Sequence, residues 1–344
     1  MPLTQPTQKV ETFTLKNNRG SEATLLAWGA TLASFKVQLV SGERREVVLG
    51  CDSIEDYQKQ EAYLGATVGR YANRIKQATI SHLGNALSLT ANQGVHQLHG
   101  ADDFSHREWQ GEQLANNKVS FTLFSADGTC GYPGNMQARV DYTLDDDNQL
   151  IIDYSASVDK TCPVNLTDHS YFNLNAAADS TIKQHQLYIA GDYYLPVDSE
   201  GIPQAGLKSV ENTGFDFRQA KTIAKDLGKD DDQKLVGGYD HSFLLQPAVV
   251  ERGEAVARIV ADDQSLAMEV YTDKPAIQLY TGNFLTGTPA RSGDSYQAHS
   301  GLALETQYLP DSPNRPDWPH KSCWLEPGQA YYTQTRYRVY EPNN

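Results

Sequence analysis

The sequence predicts an all-β protein, a large antiparallel β-sandwich with few short helices. Three observations carry this. Apolar and polar residues alternate with period two over most of the chain, helical periodicity is confined to two short stretches, and no strand–helix–strand alternation appears. The 19 Tyr, 10 Phe and 4 Trp suit a broad sheet-on-sheet structure whose concave face carries aromatic and polar groups, because such side chains pack well on a pleated surface.

Taken along the chain, the first clear element is a short helix over Ser53 to Gln60, with Ser53 and Asp56 as a capping pair. Strands follow. In Lys118 to Ser125, Val119, Phe121 and Leu123 share one face; Val140, Tyr142 and Leu144 repeat the pattern, and Leu150, Ile152 and Tyr154 return it after Asp145-Asp146-Asp147-Asn148, which makes a hairpin. A second short helix is expected over Gln219 to Leu227, and a second hairpin where Val256 to Val260 meets Leu266 to Tyr271. Leu302 to Leu309 reads as a buried strand that Pro310-Asp311-Ser312-Pro313-Asn314 ends, and the last strand, Tyr331 to Val339, places Tyr331, Thr333, Thr335 and Tyr337 on one side. Asp145 to Asp147 and Asp230 to Asp232 are read as solvated turns, without the glycine and terminal Glu of a calcium loop. With 344 residues, 39% apolar content and no linker, repeat or low-complexity run, the chain is expected to form one domain over residues 1–344.

A formal charge of -14 argues against nucleic acid or an anionic membrane as partner and favours a neutral ligand. No segment reaches the 18 or so apolar residues needed to span a bilayer, and Met1 is not followed by an apolar core of signal-peptide length. Cys51, Cys130, Cys162 and Cys323 are few and far apart, as free thiols in a reducing compartment would be. A soluble cytoplasmic protein is expected.

The candidate functional residues are polar groups in apolar settings. Glu305 lies inside the buried strand, where a carboxylate is retained to accept a proton or bind hydroxyls, or else pairs with an arginine on an edge. His169, in Thr167-Asp168-His169-Ser170-Tyr171-Phe172-Asn173, is either a positioned imidazole or a core histidine bonded to a carbonyl. His96 and His99 have i, i+3 spacing, but Gly94 and Gly100 bracket them as a loop and no H-E-x-x-H occurs, so a hydrogen-bonding role is favoured over zinc. Arg74 offers a fork for hydroxyls, while Arg70 equally suits a surface ion pair. Asp240 follows Gly237-Gly238-Tyr239 and is read either as a ligand contact or as ordinary turn chemistry. Gln278 is the polar residue between Ile277 and Leu279, placed to meet a ligand or a neighbouring loop.

Together, Asn73-Arg74-Ile75, Leu98-His99-Gly100, His169-Ser170-Tyr171-Phe172-Asn173-Leu174, Asp240-His241 and Leu304-Glu305 occur in the order and spacing of one family. The sequence resembles galactose mutarotases, the aldose 1-epimerases. Gly131-Tyr132-Pro133-Gly134, Tyr280-Thr281-Gly282-Asn283-Phe284 and Pro310-Asp311-Ser312-Pro313-Asn314 extend the resemblance over nearly the whole chain. It implies a mutarotase-like supersandwich with an open cleft on one sheet, a free aldohexose such as galactose or glucose as substrate, and neither cofactor nor metal. It also implies Glu305 as general base, His169 as general acid, and Asn73, Arg74, His99, Asp240 and Gln278 as sugar-binding groups, in a monomer or weak homodimer. Two positions depart from the pattern. Ala101 replaces a second glycine after Leu-His-Gly, with consequences for the loop that holds His99, and Asp168 stands where Asn or Gly is familiar, where a nearby carboxylate would raise the pKa of His169. The rival readings are a hexose-6-phosphate 1-epimerase, which needs extra basic residues, a non-catalytic carbohydrate-binding protein, and a glycosidase using Asp240 and Glu305.

Overall fold

The computed structural model describes residues 10–342 apart from 102, 178 and 205. Antiparallel hairpins dominate, as the alternation predicts. A nine-stranded sheet runs, in spatial order, through Gln110–Ala115, Lys118–Ser125, Met136–Leu144, Gln149–Val158, Tyr331–Tyr340, Ala267–Thr272, Ala257–Val260, Gln186–Ile189 and Lys221–Thr222. Its inward residues, among them Phe121, Val140, Ile152 and Val339, are fully buried. A six-stranded sheet packs on it in the order Tyr171–Phe172, Leu302–Gln307, Ala276–Tyr280, Asp240–Leu245, Gly191–Tyr194 and Lys208–Ser209. A four-stranded sheet over residues 12–46 joins their margin, where Leu49 N–H donates to Tyr171 O (2.8 Å) and Asn173 N–H to Val47 O (3.0 Å).

The last strand locks the two large sheets together. Tyr337 Oη donates to Leu304 O (3.3 Å), the Phe172 and Tyr337 rings meet at 4.8 Å, and the Thr306 and Thr335 hydroxyls are hydrogen-bonded. Leu302, Leu304 and Thr306 therefore face the sheet interface. Pleating sends Ala303, Glu305 and Gln307 to the opposite face, yet all six residues are buried, so this strand is covered on both sides.

The three α-helices among the described residues are short: Ile54–Lys59, Asp231–Leu235 and Pro247–Glu251. The first forms as expected, with the Ser53 hydroxyl accepting from Asp56 N–H (3.1 Å). The stretch Gln219 to Leu227 does not form the expected helix. Lys221–Thr222 pairs with Gln186–Leu187 at the sheet edge and Ile223–Lys225 makes one 3₁₀ turn, because edge pairing and burial of the β-branched Ile223 outweigh a helix too short to nucleate alone. Nor is Asp230 to Asp232 merely a solvated turn. Asp231 and Asp232 occupy the first turn of the second helix, where negative charge suits the helix dipole, and Asp232 accepts from Tyr194 Oη (2.7 Å) and Lys208 Nζ (3.0 Å).

Arg70, which by its sequence equally suits a surface ion pair, makes its pair in the interior and is fully buried. Its guanidinium lies 3.6 Å from the Asp103 carboxylate and donates to the Ser125 hydroxyl (2.7 Å) and to the carbonyls of Ser125 (2.9 Å), Ala126 (2.9 Å) and Gly134 (2.8 Å). One planar fork thus ties together three separate segments. Removing one partner of a buried ion pair strands the other charge. Arg70→Ala is expected to lower the free energy of unfolding by about 3–5 kcal/mol, measured by urea denaturation; a loss under about 1 kcal/mol contradicts this anchoring role.

Candidate active site

The face of the six-stranded sheet turned away from the nine-stranded sheet carries the polar groups in register. Ser242 pairs with Gln278 and Gln278 with Glu305, forming one row across three strands; Asp240, Tyr280 and Ala303 form the next. Two loops complete the cleft. His169 follows the Thr167–Asp168 strand and is held by mutual backbone bonds, His169 N–H to Ala66 O (3.0 Å) and Gly65 N–H to His169 O (3.1 Å). Arg74 begins a two-residue strand paired with Gln97–Leu98, which sets it beside His99. The Pro310 to Asn314 turn that ends the long strand grips this segment, for Asp311 N–H donates to Arg74 O (2.9 Å) and Asp311 Oδ1 accepts from Lys76 N–H (3.1 Å).

The loop that presents His99 turns through three left-handed residues, His99, Gly100 and Ala101, at φ of 50°, 74° and 54°. Gly100 is required, since a Cβ there would lie 2.0 Å from Gly69 O. Ala101 keeps the loop's shape at a cost of roughly 1–2 kcal/mol for a non-glycine residue in this region; its N–H donates to Leu98 O (3.0 Å). Gly201, at φ 76°, lies beside the Arg74 guanidinium, which a Cβ there, at 2.6 Å, would push aside.

These elements enclose an open cavity of about 500 Å³ with Asn73, Arg74, His99, His169, Asp240 and Glu305 in its wall. Six of the seven site residues read from the sequence thus meet in one cleft. Gln278 does not line it: its amide is buried behind Asp240 and donates to Asp240 Oδ1 (2.6 Å). Glu305, 2% exposed, lies 3.5 Å from His169 Nε2. Arg74 Nη1 is 3.8 Å from Asp240 Oδ2, and Arg74 Nε donates to Gln93 Oε1 (2.8 Å). Tyr63 went unnoticed in the sequence. Its ring stacks 5.9 Å from His169 and tilts 4.8 Å from His99, but its segment has no glycine pair or polar-in-apolar contrast to mark it.

Burial dominates the electrostatics. It raises the Glu305 carboxyl well above the usual range, helped by the Asp240 and Asp168 charges, and lowers His169 to about 4. The expectation that Asp168 raises His169 is overturned. The upward pull on His169 comes from Asp240; Asp168 acts instead on Glu305, Tyr142, Tyr154 and Tyr337 and accepts from Ser170 N–H (3.0 Å), and burial raises it to about 7.

His99, His169 and Glu305 place one donor atom each within 4.8 Å of one another, a spacing that a metal ion tolerates. The His99 tautomer argues against it. Nδ1 accepts from Asn73 N–H (3.2 Å), which puts the proton of the neutral ring on Nε2, so the ring offers a hydrogen-bond donor where a metal needs a lone pair. His96 is likewise fixed by Gln77 N–H at Nδ1 (2.9 Å) and faces Glu200 rather than the cleft.

A sandwich that bears a buried carboxyl, an imidazole and clustered donors and acceptors on one sheet face defines a carbohydrate-handling protein. The chain belongs to the aldose 1-epimerase family, which matches residues 11–338. It is 49% identical to the aldose 1-epimerase of Escherichia coli over 332 residues, covering 96% of this chain and 95% of the relative. The galactose mutarotase of Bos taurus is 39% identical over 324 residues, with 94% and 92% covered. Among solved structures, an aldose epimerase homologue from C. elegans superposes with a TM-score of 0.88 at 31% identity, covering 97% of this chain and 99% of that one.

If burial sets the state of the pair, the His169 ring should titrate near 4, well below the 6.5 of a free imidazole. Side-chain ¹⁵N shifts followed from pH 3.5 to 8 measure this. A midpoint at or above 6.5 contradicts it.

Proposed function

We propose that the protein is an aldose 1-epimerase that interconverts the α and β anomers of free aldohexoses such as galactose and glucose. The observation that carries the reading is the Glu305–His169 pair, 3.5 Å apart in the cleft of a chain of this family. Anomerisation moves two protons. Glu305 takes the proton of the C1 hydroxyl while His169 delivers one to the ring oxygen; the C1–O5 bond breaks, O1 becomes the carbonyl oxygen, and rotation about C1–C2 lets the ring close on the other face with the two transfers reversed. O1 and O5 share one carbon, so a hemiacetal can bridge two groups at this spacing. The pair holds one proton before opening and one after it.

Arg74, Asp240, His99 and Asn73 are assigned to the sugar hydroxyls, and Gln278 to the support of Asp240. The tautomer of His99 supports a donor role, and the carboxylate of Asp240 an acceptor role. No external group is called for, because each transferred proton has a side chain to carry it. We further read residues 1–344 as one domain acting as a monomer or weak homodimer in the cytoplasm. One large core cluster from Val10 to Val339, with a small one around Leu195, Ala276, Leu309 and Trp318, and four free cysteines are in keeping with this. No helix among the described residues is long and apolar enough to cross a membrane.

Polarimetry of freshly dissolved α-D-galactose tests the activity directly, with and without EDTA, which should change nothing. Free galactose or glucose should be turned over with far higher kcat/KM than the 6-phosphate; the reverse preference moves the assignment to a hexose-6-phosphate epimerase. Glu305→Gln and His169→Asn should each lower kcat by about 10²- to 10⁴-fold with little change in KM. Arg74→Lys and Asp240→Asn should raise KM. A folded Glu305→Gln enzyme with near-normal kcat rules out Glu305 as the base.

The pH dependence follows from the one-proton requirement. Only the pair with a single proton offers both an acceptor and a donor, so kcat/KM should fall in acid as a second proton binds near pH 4, the value to which burial lowers His169. It should fall again in alkali, where the last proton leaves the carboxyl that burial has raised. A rate that keeps rising through pH 10 contradicts a required donor.

A further inference from the structure

We infer that Ser242 is a positioning residue for the sugar site: acting through Gln278, it fixes which way the Gln278 amide faces and so holds Asp240 in place. The inference rests on the reading of the cleft as an aldose site and adds a residue to it.

The argument begins from a mismatch in hydrogen-bonding capacity. A carboxylate only accepts, whereas an amide side chain can present either its NH₂ or its oxygen, and the two ends have nearly the same shape. Asp240 Oδ1 therefore requires Gln278 to offer Nε2, and the 2.6 Å contact has that sense. This leaves Gln278 Oε1 pointing along the register to Ser242, the residue directly paired with Gln278 in the sheet, whose hydroxyl donates to it.

A hydroxyl that spends its one hydrogen on Gln278 must accept at its other contact. It does so from Gln307 Nε2 (3.3 Å), on the same face of the strand that carries Glu305. Ser242, Gln278 and Gln307 are at most 2% exposed, so water cannot readily substitute for these bonds. The row Gln307, Ser242, Gln278, Asp240 thus has one direction throughout, with every donor pointing towards the cleft. Asp240 ends it and is met from the far side by Arg74 Nη1 at 3.8 Å from Oδ2.

Without the Ser242 hydroxyl, Gln278 Oε1 is left buried without its donor, and the bond to Asp240 alone holds the amide against a half-turn. That turn would set oxygen against oxygen at Asp240, which would swing away from the sugar. The neighbouring Glu305 belongs to the same row of paired residues but takes no hydrogen bond from this relay, so the loss should fall on binding rather than on proton transfer.

The test is a double-mutant cycle on KM and kcat for galactose with Ser242→Ala, Gln278→Ala and the double variant, each checked for a folded transition by urea denaturation. Ser242→Ala is expected to raise KM roughly tenfold, as one buried hydrogen bond lost next to a charged group does, with kcat within about twofold of wild type. The double variant should match Gln278→Ala alone, because Ser242 has no other route to the site. An unchanged KM in Ser242→Ala, a loss confined to kcat, or independent losses that multiply in the double variant would each overturn the proposal. Wild-type protein that fails to accelerate mutarotation of any aldose instead removes the underlying reading, a result distinct from all of these.

Discussion

The strand Leu302–Gln307 is buried on both faces, and that constraint orders the rest of the structure. A pleated strand gives alternate residues to opposite sides, so the same six residues must supply the sheet interface with Leu302, Leu304 and Thr306 and the cleft with Ala303, Glu305 and Gln307. A slip of one residue would place the Glu305 carboxyl against Tyr337 and Phe172 and a leucine in the cleft, at the cost of an unpaired buried acid and a lost apolar contact. The packing that stabilises the sandwich and the placement of the functional groups are therefore one register.

Around this strand the site is assembled from parts with different anchors. The row on the sheet is fixed by backbone pairing, whereas Arg74 and His99 come from a two-residue strand and a loop that depend on Gly100, on the turn at Asp311 and on the segment that Arg70 pins. Ala101 shows how tightly the loop is determined. It adopts a left-handed backbone that an alanine disfavours, because Gly100 must pass against Gly69.

Much of this was legible in the residues. Period-two alternation marked the long strands and their inward faces, and the contrast of Glu305 and Gln278 with their apolar neighbours marked the row. Other features were not, for physical reasons. Arg70 and Arg74 look alike in sequence, and only the fold shows that one guanidinium is enclosed by carbonyls while the other faces a cavity. Asp168 and His169 are adjacent in sequence, but the charge that raises His169 is that of Asp240, and Asp168 acts on Glu305 instead, so nearness along the chain does not set their coupling. Gln278 stands out as a polar residue placed to meet either a ligand or a neighbouring loop, and its amide meets Asp240, one group short of the cleft. Gln219 to Leu227 had helical spacing but too little length to resist an available sheet edge.

In the proposed reaction Glu305 and His169 share a single proton, so the pair is electrically neutral, and the aldose it meets is neutral too. No charge crosses the protein boundary during binding, ring opening or release. With no charged partner to steer, the overall charge of -14 gives no long-range attraction to be screened, so added salt should leave the turnover of aldoses almost unaffected while it alters the solubility of the protein.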